Sequence, residues 1–415
     1  MSQLRPHSQR NFLARRWQAL GMSSVWVRGV CALVLCLGIT GLDLWLRPEN
    51  SPDARAAWPE LLSRTPVQGA TGPLTDSMLV KQSGGRIPMP ADTPAAHAST
   101  LLAMPDDHPA AVMAFWFAGS KESAPDVQIA ASQFDRATQQ WTPARFVVNR
   151  FLGRYRLGFG IRRLGNPVAW RDTHGRVHLF VVATGLGGWA AGRIVHMVQA
   201  NEGADFNQLT FRPLRVLPLS WLWKTSHLVR AMPMPLADGG MVLPVYFELG
   251  IKYPLALRFD ALGNFRGMVR MSSRGHLLQP TLLMQSERDW LALMRDNSAQ
   301  RKIRVAQTRD AGQHWQDAPD LALDNPDSSI AALALRSDLM LLAHNSNRDS
   351  RTVLDLSASA DGVNWTKLHA LERGVTGSEY SYPSMVWADH SLWVSYTNLR
   401  QEIAWQRFGF SAAAK

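Results

Sequence analysis

One short pattern is written six times along this 415-residue chain. Each copy has three apolar, strand-like runs separated by turns. The first runs begin at His97, Asn166, His227, Gln279, Ser328 and Tyr382 (HASTLLAM, NPVAWRD, HLVRAMPMP, QPTLLMQ, SSIAALAL, YPSMVWA). The second runs (AAVMAFWF, VHLFVVAT, MVLPVYFE, WLALMRDN, LMLLAHNS, LWVSYTN) and the third runs (VQIAASQ, RIVHMVQ, YPLALRF, IRVAQTR, TVLDLSAS, EIAWQRF) follow in the same order. Copies recur about every 50–70 residues, a spacing typical of propeller blades. One blade cannot bury both of its faces, so the copies must stack on each other in a ring. The expected fold is all-β: a six-bladed β-propeller over residues 81–415, preceded by one N-terminal transmembrane helix. Outer fourth strands follow most third runs. The last copy runs out of chain after Phe410. Its outer strand is expected from the N-terminal side, near DSMLVKQS before Gly84, which would close the ring and hide an edge.

Charge separates the N-terminus from the rest. Arg5, Arg10, Arg15, Arg16 and Arg28 fall in the first 28 residues with no acid among them, leaving +6 of the formal +11 for the remainder. No basic stripe runs through the repeats, so nucleic acid is not an expected partner. The order is a basic segment over 1–22, an apolar segment over 23–46, a Pro/Ala/Ser/Asp-rich linker over 47–80, then the repeats. The clean apolar core, Gly29–Leu42, is short for a span, which usually takes about 17–25 residues. Arg28, Trp26 and Trp45 extend it by snorkelling and interfacial anchoring. An uncleaved anchor and a signal peptide are both open, with Ala54-Arg55-Ala56 as a distant small-residue cleavage site. In either case the basic side stays in the cytoplasm. For a Gram-negative source, that means one pass through the inner membrane and a propeller in the periplasm. Both cysteines, Cys31 and Cys36, lie in the apolar segment, leaving none for a disulfide, a thiol nucleophile or a cysteine metal site in the repeats. The histidines lack the close paired spacing of zinc ligands, and neither metal nor cofactor is expected.

A second pattern sits between third and fourth strands. Thr308–Trp315 (TRDAGQHW) is its clearest copy and Ser359–Trp365 (SADGVNW) a shortened one, with echoes at Asn201–Phe206 and Asp260–Phe265. The hydroxyl and carboxylate bond to the turn's own backbone, glycine takes a positive φ, and tryptophan packs between sheets. This is a structural turn rather than a site.

Thr308–Trp315 is similar to the Asp-box of sialidases. HASTLLAMP, AFWFAGSKESAPDVQIA, NPVAWRDTHGRVHLF, LPVYFE, LQPTLLM, NSNRDSRTVLDLSASADGVNW and EYSYPSMVW resemble segments of the bacterial sialidase-like (BNR-repeat, neuraminidase) family over about residues 95–407. The resemblance implies a tyrosine nucleophile assisted by a glutamate, an aspartate acid/base, and three arginines on the substrate carboxylate. Carried onto this chain, Tyr382 matches the nucleophile, Asp126 the acid/base, and Arg295 and Arg351 two of the arginines. Two positions depart from the pattern. His97 stands where the first arginine is expected, and Gln279 where the assisting glutamate is expected. Glu248 is a substitute for that glutamate, and Glu379 a further carboxylate able to activate the tyrosine.

In an up-and-down blade, the start of the first strand and the second-to-third turn share one end. The six first-run residues are therefore expected to ring one mouth of the channel, with Lys121, Asp126, Glu248, Arg295, Asn345, Arg348, Arg351 and Arg400 crowding it. The leading expectation is a membrane-anchored, exo-acting α-sialidase-like glycosidase on a terminal acidic sugar. In it Tyr382, Asp126 and Glu248 are catalytic, and His97, Lys121, Gln279, Arg295, Arg348, Arg351 and Arg400 bind substrate. A non-catalytic glycan-binding or envelope-polysaccharide assembly propeller, or an interaction platform on the rim, remain open.

Overall fold

The computed structural model describes residues 24–46, 55–57, 79–151, 157–203, 205–220 and 224–410. The basic segment 1–22 and most of the linker 47–80 lie outside the described residues. One helix, Ser24–Leu46, is long and apolar enough to cross a membrane, with both cysteines on it. An anchor and a signal sequence satisfy that description equally.

The remainder is six antiparallel sheets, each of at least four strands. Blade 1 uses Ala95–Ala103, Ala110–Gly119 and Gln128–Asp135, with a broken outer strand (Gln140–Trp141, Arg145–Val148). Blade 2 runs from Arg163 to Val216, blade 3 from His227 to Arg270, blade 4 from Leu277 to Ala318 and blade 5 from Ala331 to Arg373. Blade 6 contains Tyr380–Ala388, Ser391–Asn398 and Glu402–Phe410. Its outer strand is Leu79–Arg86, pairing Leu79 with Phe410 and Arg86 with Ala404. The ring thus closes with an N-terminal strand, as the sequence suggested.

Middle strands are buried on both faces, which explains their near-continuous apolar runs; every residue of Ala110–Gly119 is buried. Between blades 6 and 1 the packing is aromatic. Phe134 meets Trp393 at 4.7 Å and Trp405 at 5.4 Å, and the two tryptophans stack at 5.5 Å. The fragment Arg55–Ala57 is not free linker. It pairs at Leu236 and is held by Ala56 N–H to Glu287 O (2.9 Å) and Ala57 N–H to Pro235 O (3.0 Å).

The two turns behave as local chemistry requires. Asp310 accepts from the Thr308 hydroxyl (2.8 Å) and the His314 N–H (2.9 Å), while Gly312 has φ +83°. Trp315 Nε1 donates to Gly312 O at 3.1 Å, and Trp365 does the same to Gly362 O. Gln285, at the far end of blade 4's first strand, donates to Asp361 O at 2.8 Å. That contact places the turns at the end opposite the first-strand starts.

The inner strands carry a feature the sequence did not show. In blades 1, 2, 4 and 6 the register with the second strand slips by one residue, between His97 and Thr100, Gly165 and Val168, Leu278 and Thr281, and Ser381 and Ser384. Each slip contains a non-glycine residue at positive φ: Ala98 (+56°), Asn166 (+40°), Gln279 (+47°) and Tyr382 (+55°). Such φ values are rare outside glycine, and a bulge re-aims the side chain it carries. In blade 1 the residue equivalent to Tyr382 is therefore Ala98, and His97 is one place earlier.

Leu79 is 1 % exposed and packs into the cluster between blades 5 and 6. We expect Leu79→Ala to cost about 2–5 kcal/mol, the usual range for a buried leucine truncation. Because the strand closes the ring, the loss should appear as one shifted melting transition of the whole propeller. An unchanged melt would show that closure is not coupled to global stability.

Candidate functional site

Five blades deliver charged groups to the Tyr382 end, and bonds link them into an arc. Glu248 (blade 3) lies 3.6 Å from Lys252, whose ammonium donates to Asn297 Oδ1 at 2.9 Å. Asn297 donates to Asp327 Oδ2 at 2.8 Å. Arg295 (blade 4) donates from Nε to Asp327 Oδ1 at 2.5 Å and from Nη1 to Gln279 Oε1 at 3.0 Å. Gln279 Nε2 in turn reaches Tyr382 Oη at 3.3 Å. Arg351 (blade 5) donates to Asp327 O at 2.8 Å and to Glu379 Oε1 at 2.9 Å. Arg400 (blade 6) grips both oxygens of Glu379 at 2.7 and 3.0 Å and also pairs with Glu122 of blade 1. Ser381 adds a bond to Glu379 at 2.9 Å.

Each arginine is thus held by at least one carboxylate, with oriented N–H groups rather than loose charge. Burial disfavours the Arg295 charge, but the neighbouring Tyr382 hydroxyl and the Asp327 carboxylate outweigh it and raise its pKa. Burial raises Glu379, yet Arg400 and Arg351 overcome it and hold the carboxyl down at about 2. Glu248 moves the other way: burial raises it, offset in part by Lys252. One end of the propeller therefore holds a carboxylate fixed as an anion and a carboxyl biased toward its protonated form.

Tyr382 sits among other rings and a cation. The imidazole of His97 lies 4.2 Å from its ring, and the Arg230 guanidinium lies 5.1 Å from it. Arg230 is fully buried and donates to the carbonyls of Ser99 (3.2 Å), Tyr382 and Pro383 (3.0 Å), so blade 3 reaches across to blades 1 and 6. Burial lowers its pKa to about 10, which leaves it charged near neutrality. Tyr246 of blade 3 is buried beside the same Gln279, and burial together with Tyr382 and Glu248 raises its hydroxyl well above the ordinary value.

The expected site residues divide. Tyr382, Gln279, Arg295, Arg351 and Arg400 come together as above, and Glu248 joins them through Lys252. His97 and Lys121 line one small cavity with Arg400 and Glu122. Asp126 makes only local bonds. It is exposed, both its oxygens are taken by Ser120 N–H and O–H at 2.9 Å, and these bonds outweigh its slight burial to lower its pKa. No bond joins it to Tyr382. Arg348 is exposed, bonded to Ala299 O at 3.3 Å and 3.7 Å from Asp324, outside the arc. Ser328 and Asn345 are buried and bonded to each other at 2.6 Å, a structural pair rather than site residues. Of the residues the sequence reading passed over, Arg230 left the clearest signal: a single arginine in an otherwise apolar first run. Asp327, Glu122 and Tyr246 left none, because only the fold brings them to the mouth.

Six blades enclosing a polar, arginine-rich mouth define a sialidase-type β-propeller. The chain belongs to the BNR repeat-like family, whose model matches residues 110–394. Its fold is similar to that of the Trypanosoma rangeli sialidase solved with the inhibitor DANA, at 14 % identity and a TM-score of 0.59, covering 79 % of this chain and 60 % of that one. It is likewise similar to the K499G mutant of NanB sialidase from Streptococcus pneumoniae (10 % identity, TM-score 0.56, covering 82 % and 71 %). A Dyadobacter fermentans protein of unknown function aligns over 80 % of this chain and 99 % of its own, at 13 % identity and a TM-score of 0.59. The chain thus spans less than two thirds of the Trypanosoma enzyme. No curated protein matches it.

The depressed pKa of Glu379 makes a pH prediction. Stability from its arginine pairs is present above the unfolded value of 4.5 and is lost as pH falls through about 2. We expect Glu379→Gln to melt lower than wild type at pH 7 and to lose less on acidification between those limits. Parallel melting curves from pH 5 to 2 would refute the assignment.

Proposed function

We propose that the Tyr382 mouth is the active site of a sialidase-like exo-glycosidase that binds a terminal acidic sugar. The observation that carries the reading is the convergence of Arg295, Arg351 and Arg400, each oriented by carboxylates, around a tyrosine whose backbone a bulge holds at φ +55°. Oriented guanidinium groups are suited to a sugar carboxylate. In this reading Tyr382 Oη gives its proton to a nearby carboxylate, Glu379 in this chain, as it bonds to the anomeric carbon and the glycosidic bond breaks; an acid protonates the leaving oxygen, and water then hydrolyses the sugar–tyrosine bond, returning the proton to tyrosine. Asp126 is the acid by resemblance. Glu248 is a second candidate, because its carboxyl is biased toward the protonated form that a donor needs.

One observation favours a second reading, a non-catalytic glycan-binding or envelope-polysaccharide assembly propeller. The hydrogen bond of Tyr382 Oη runs to the Gln279 amide, which cannot accept the phenolic proton through its N–H, and no carboxylate bonds to the hydroxyl. The apolar helix fits an inner-membrane anchor with the propeller on the periplasmic side.

Kinetics on a panel of aryl glycosides, sialosides included, separates the two readings. Tyr382→Phe should abolish nearly all turnover while leaving the melting temperature within a few degrees of wild type. Arg295→Ala should weaken acidic ligands by 10-fold or more, since a charged hydrogen bond contributes about 1.5–3 kcal/mol. Equal rates for wild type and Tyr382→Phe exclude tyrosine chemistry. Binding without turnover, lost in Arg295→Ala, selects the binding module. A C-terminal reporter active only in an oxidising compartment should be active; a purely cytosolic signal refutes the topology.

A further inference from the structure

His97 is 2 % exposed, and neither of its ring nitrogens has a hydrogen-bond partner in the protein. A buried polar group left in that state is costly, so native structures supply water or a ligand to such sites. Space for one exists. His97 lines a cavity of about 10 Å³ with Phe117, Val127, Lys121, Glu122 and Arg400. That volume admits one water-sized group and no more. The walls are part apolar and part charged, and the imidazole ring lies 4.2 Å from the Tyr382 ring.

The protonation state of His97 decides which group fits. Burial, together with the nearby Arg400, Arg230 and Arg351 and against Glu379, drives its pKa well below the usual histidine value. The ring is neutral near pH 7 and offers one donor and one acceptor. A hydroxyl can serve whichever ring nitrogen faces the cavity, because one atom can either donate or accept. A carboxylate fits worse: it is larger than the cavity, and as an acceptor-only group it can serve the N–H edge alone.

We propose that the His97 cavity is a hydroxyl subsite beside the reacting centre, and that the sugar taken is an aldopyranoside with a hydroxyl next to its anomeric carbon. Any carboxylate then lies elsewhere on the ring, toward Arg295 and Arg351. A sugar bearing its carboxylate at the anomeric carbon, with no hydroxyl on the adjacent ring carbon, fits poorly. This inference rests on the mouth being a glycan site, but not on turnover.

The test is equilibrium binding, by calorimetry, to methyl glucoside, galactoside, glucuronide and galacturonide, each with its 2-deoxy analogue, and to N-acetylneuraminic acid. Wild type should bind at least one parent glycoside 10-fold or more tighter than its 2-deoxy analogue, and tighter than N-acetylneuraminic acid. His97→Phe should abolish the gap by weakening the parent alone. His97→Gln, which keeps a donor and an acceptor, should restore much of it; thermal melts of both variants confirm folding. Glycoside binding with no 2-deoxy gap, a gap that survives in His97→Phe, or a preference for N-acetylneuraminic acid overturns the subsite while leaving the glycan site standing. No binding of any sugar overturns both.

Discussion

Ring closure is the constraint on which everything else depends. A propeller has no core except the faces between neighbouring blades, and one open interface exposes two of them. Here the join is made twice over. Leu79–Arg86 supplies the outer strand of a blade whose other strands come from the far end of the chain, with main-chain pairing from Leu79 to Arg86. Beside it, Phe134, Trp393 and Trp405 fill the seam between the last blade and the first. The seam also has a functional side. Arg400 of blade 6 pairs with Glu122 of blade 1, and His97 of blade 1 packs on Tyr382 of blade 6. Part of the candidate site therefore spans the seam where the ring is joined.

The second device is the repeated bulge. Four inner strands each insert one extra residue at the same level, and in each a non-glycine residue adopts a positive φ. Strained backbone of this kind persists only where its surroundings over-determine it. For Tyr382 the surroundings are visible: the buried Arg230 binds its carbonyl and that of Pro383 from across the channel. A flexible side chain on an ordinary strand would point along the pleat. The bulge with its clamp turns Tyr382 toward Gln279 and Arg295 instead.

The electrostatics at the mouth are balanced rather than simply positive. Asp327 and Glu379 hold Arg295, Arg351 and Arg400 in place and neutralise part of their charge. The result favours selectivity by geometry over raw attraction for anions. His97, neutral and unpaired, extends the same logic at the other side of Tyr382.

The sequence by itself determined the six-fold strand repeat, the turn chemistry at Asp310 and Asp361, the borrowed outer strand of the last blade, and the apolar N-terminal helix. These are local signals: alternation, buried apolar runs and turn residues act over a few positions, so they can be read without knowing the fold. It also placed Tyr382, Gln279, Arg295, Arg351 and Arg400 at one end, because strand order fixes which end each turn occupies. What it could not supply was the one-residue slip that makes Ala98, not His97, the counterpart of Tyr382, or the exclusion of Ser328 and Asn345 into a buried pair. Nor could it bring Arg230, Tyr246, Asp327 and Glu122 to the mouth, or show that both oxygens of Asp126 are taken by Ser120. Those outcomes depend on contacts between blades far apart in the chain, and on burial, which sets charge and protonation only once the ring has closed.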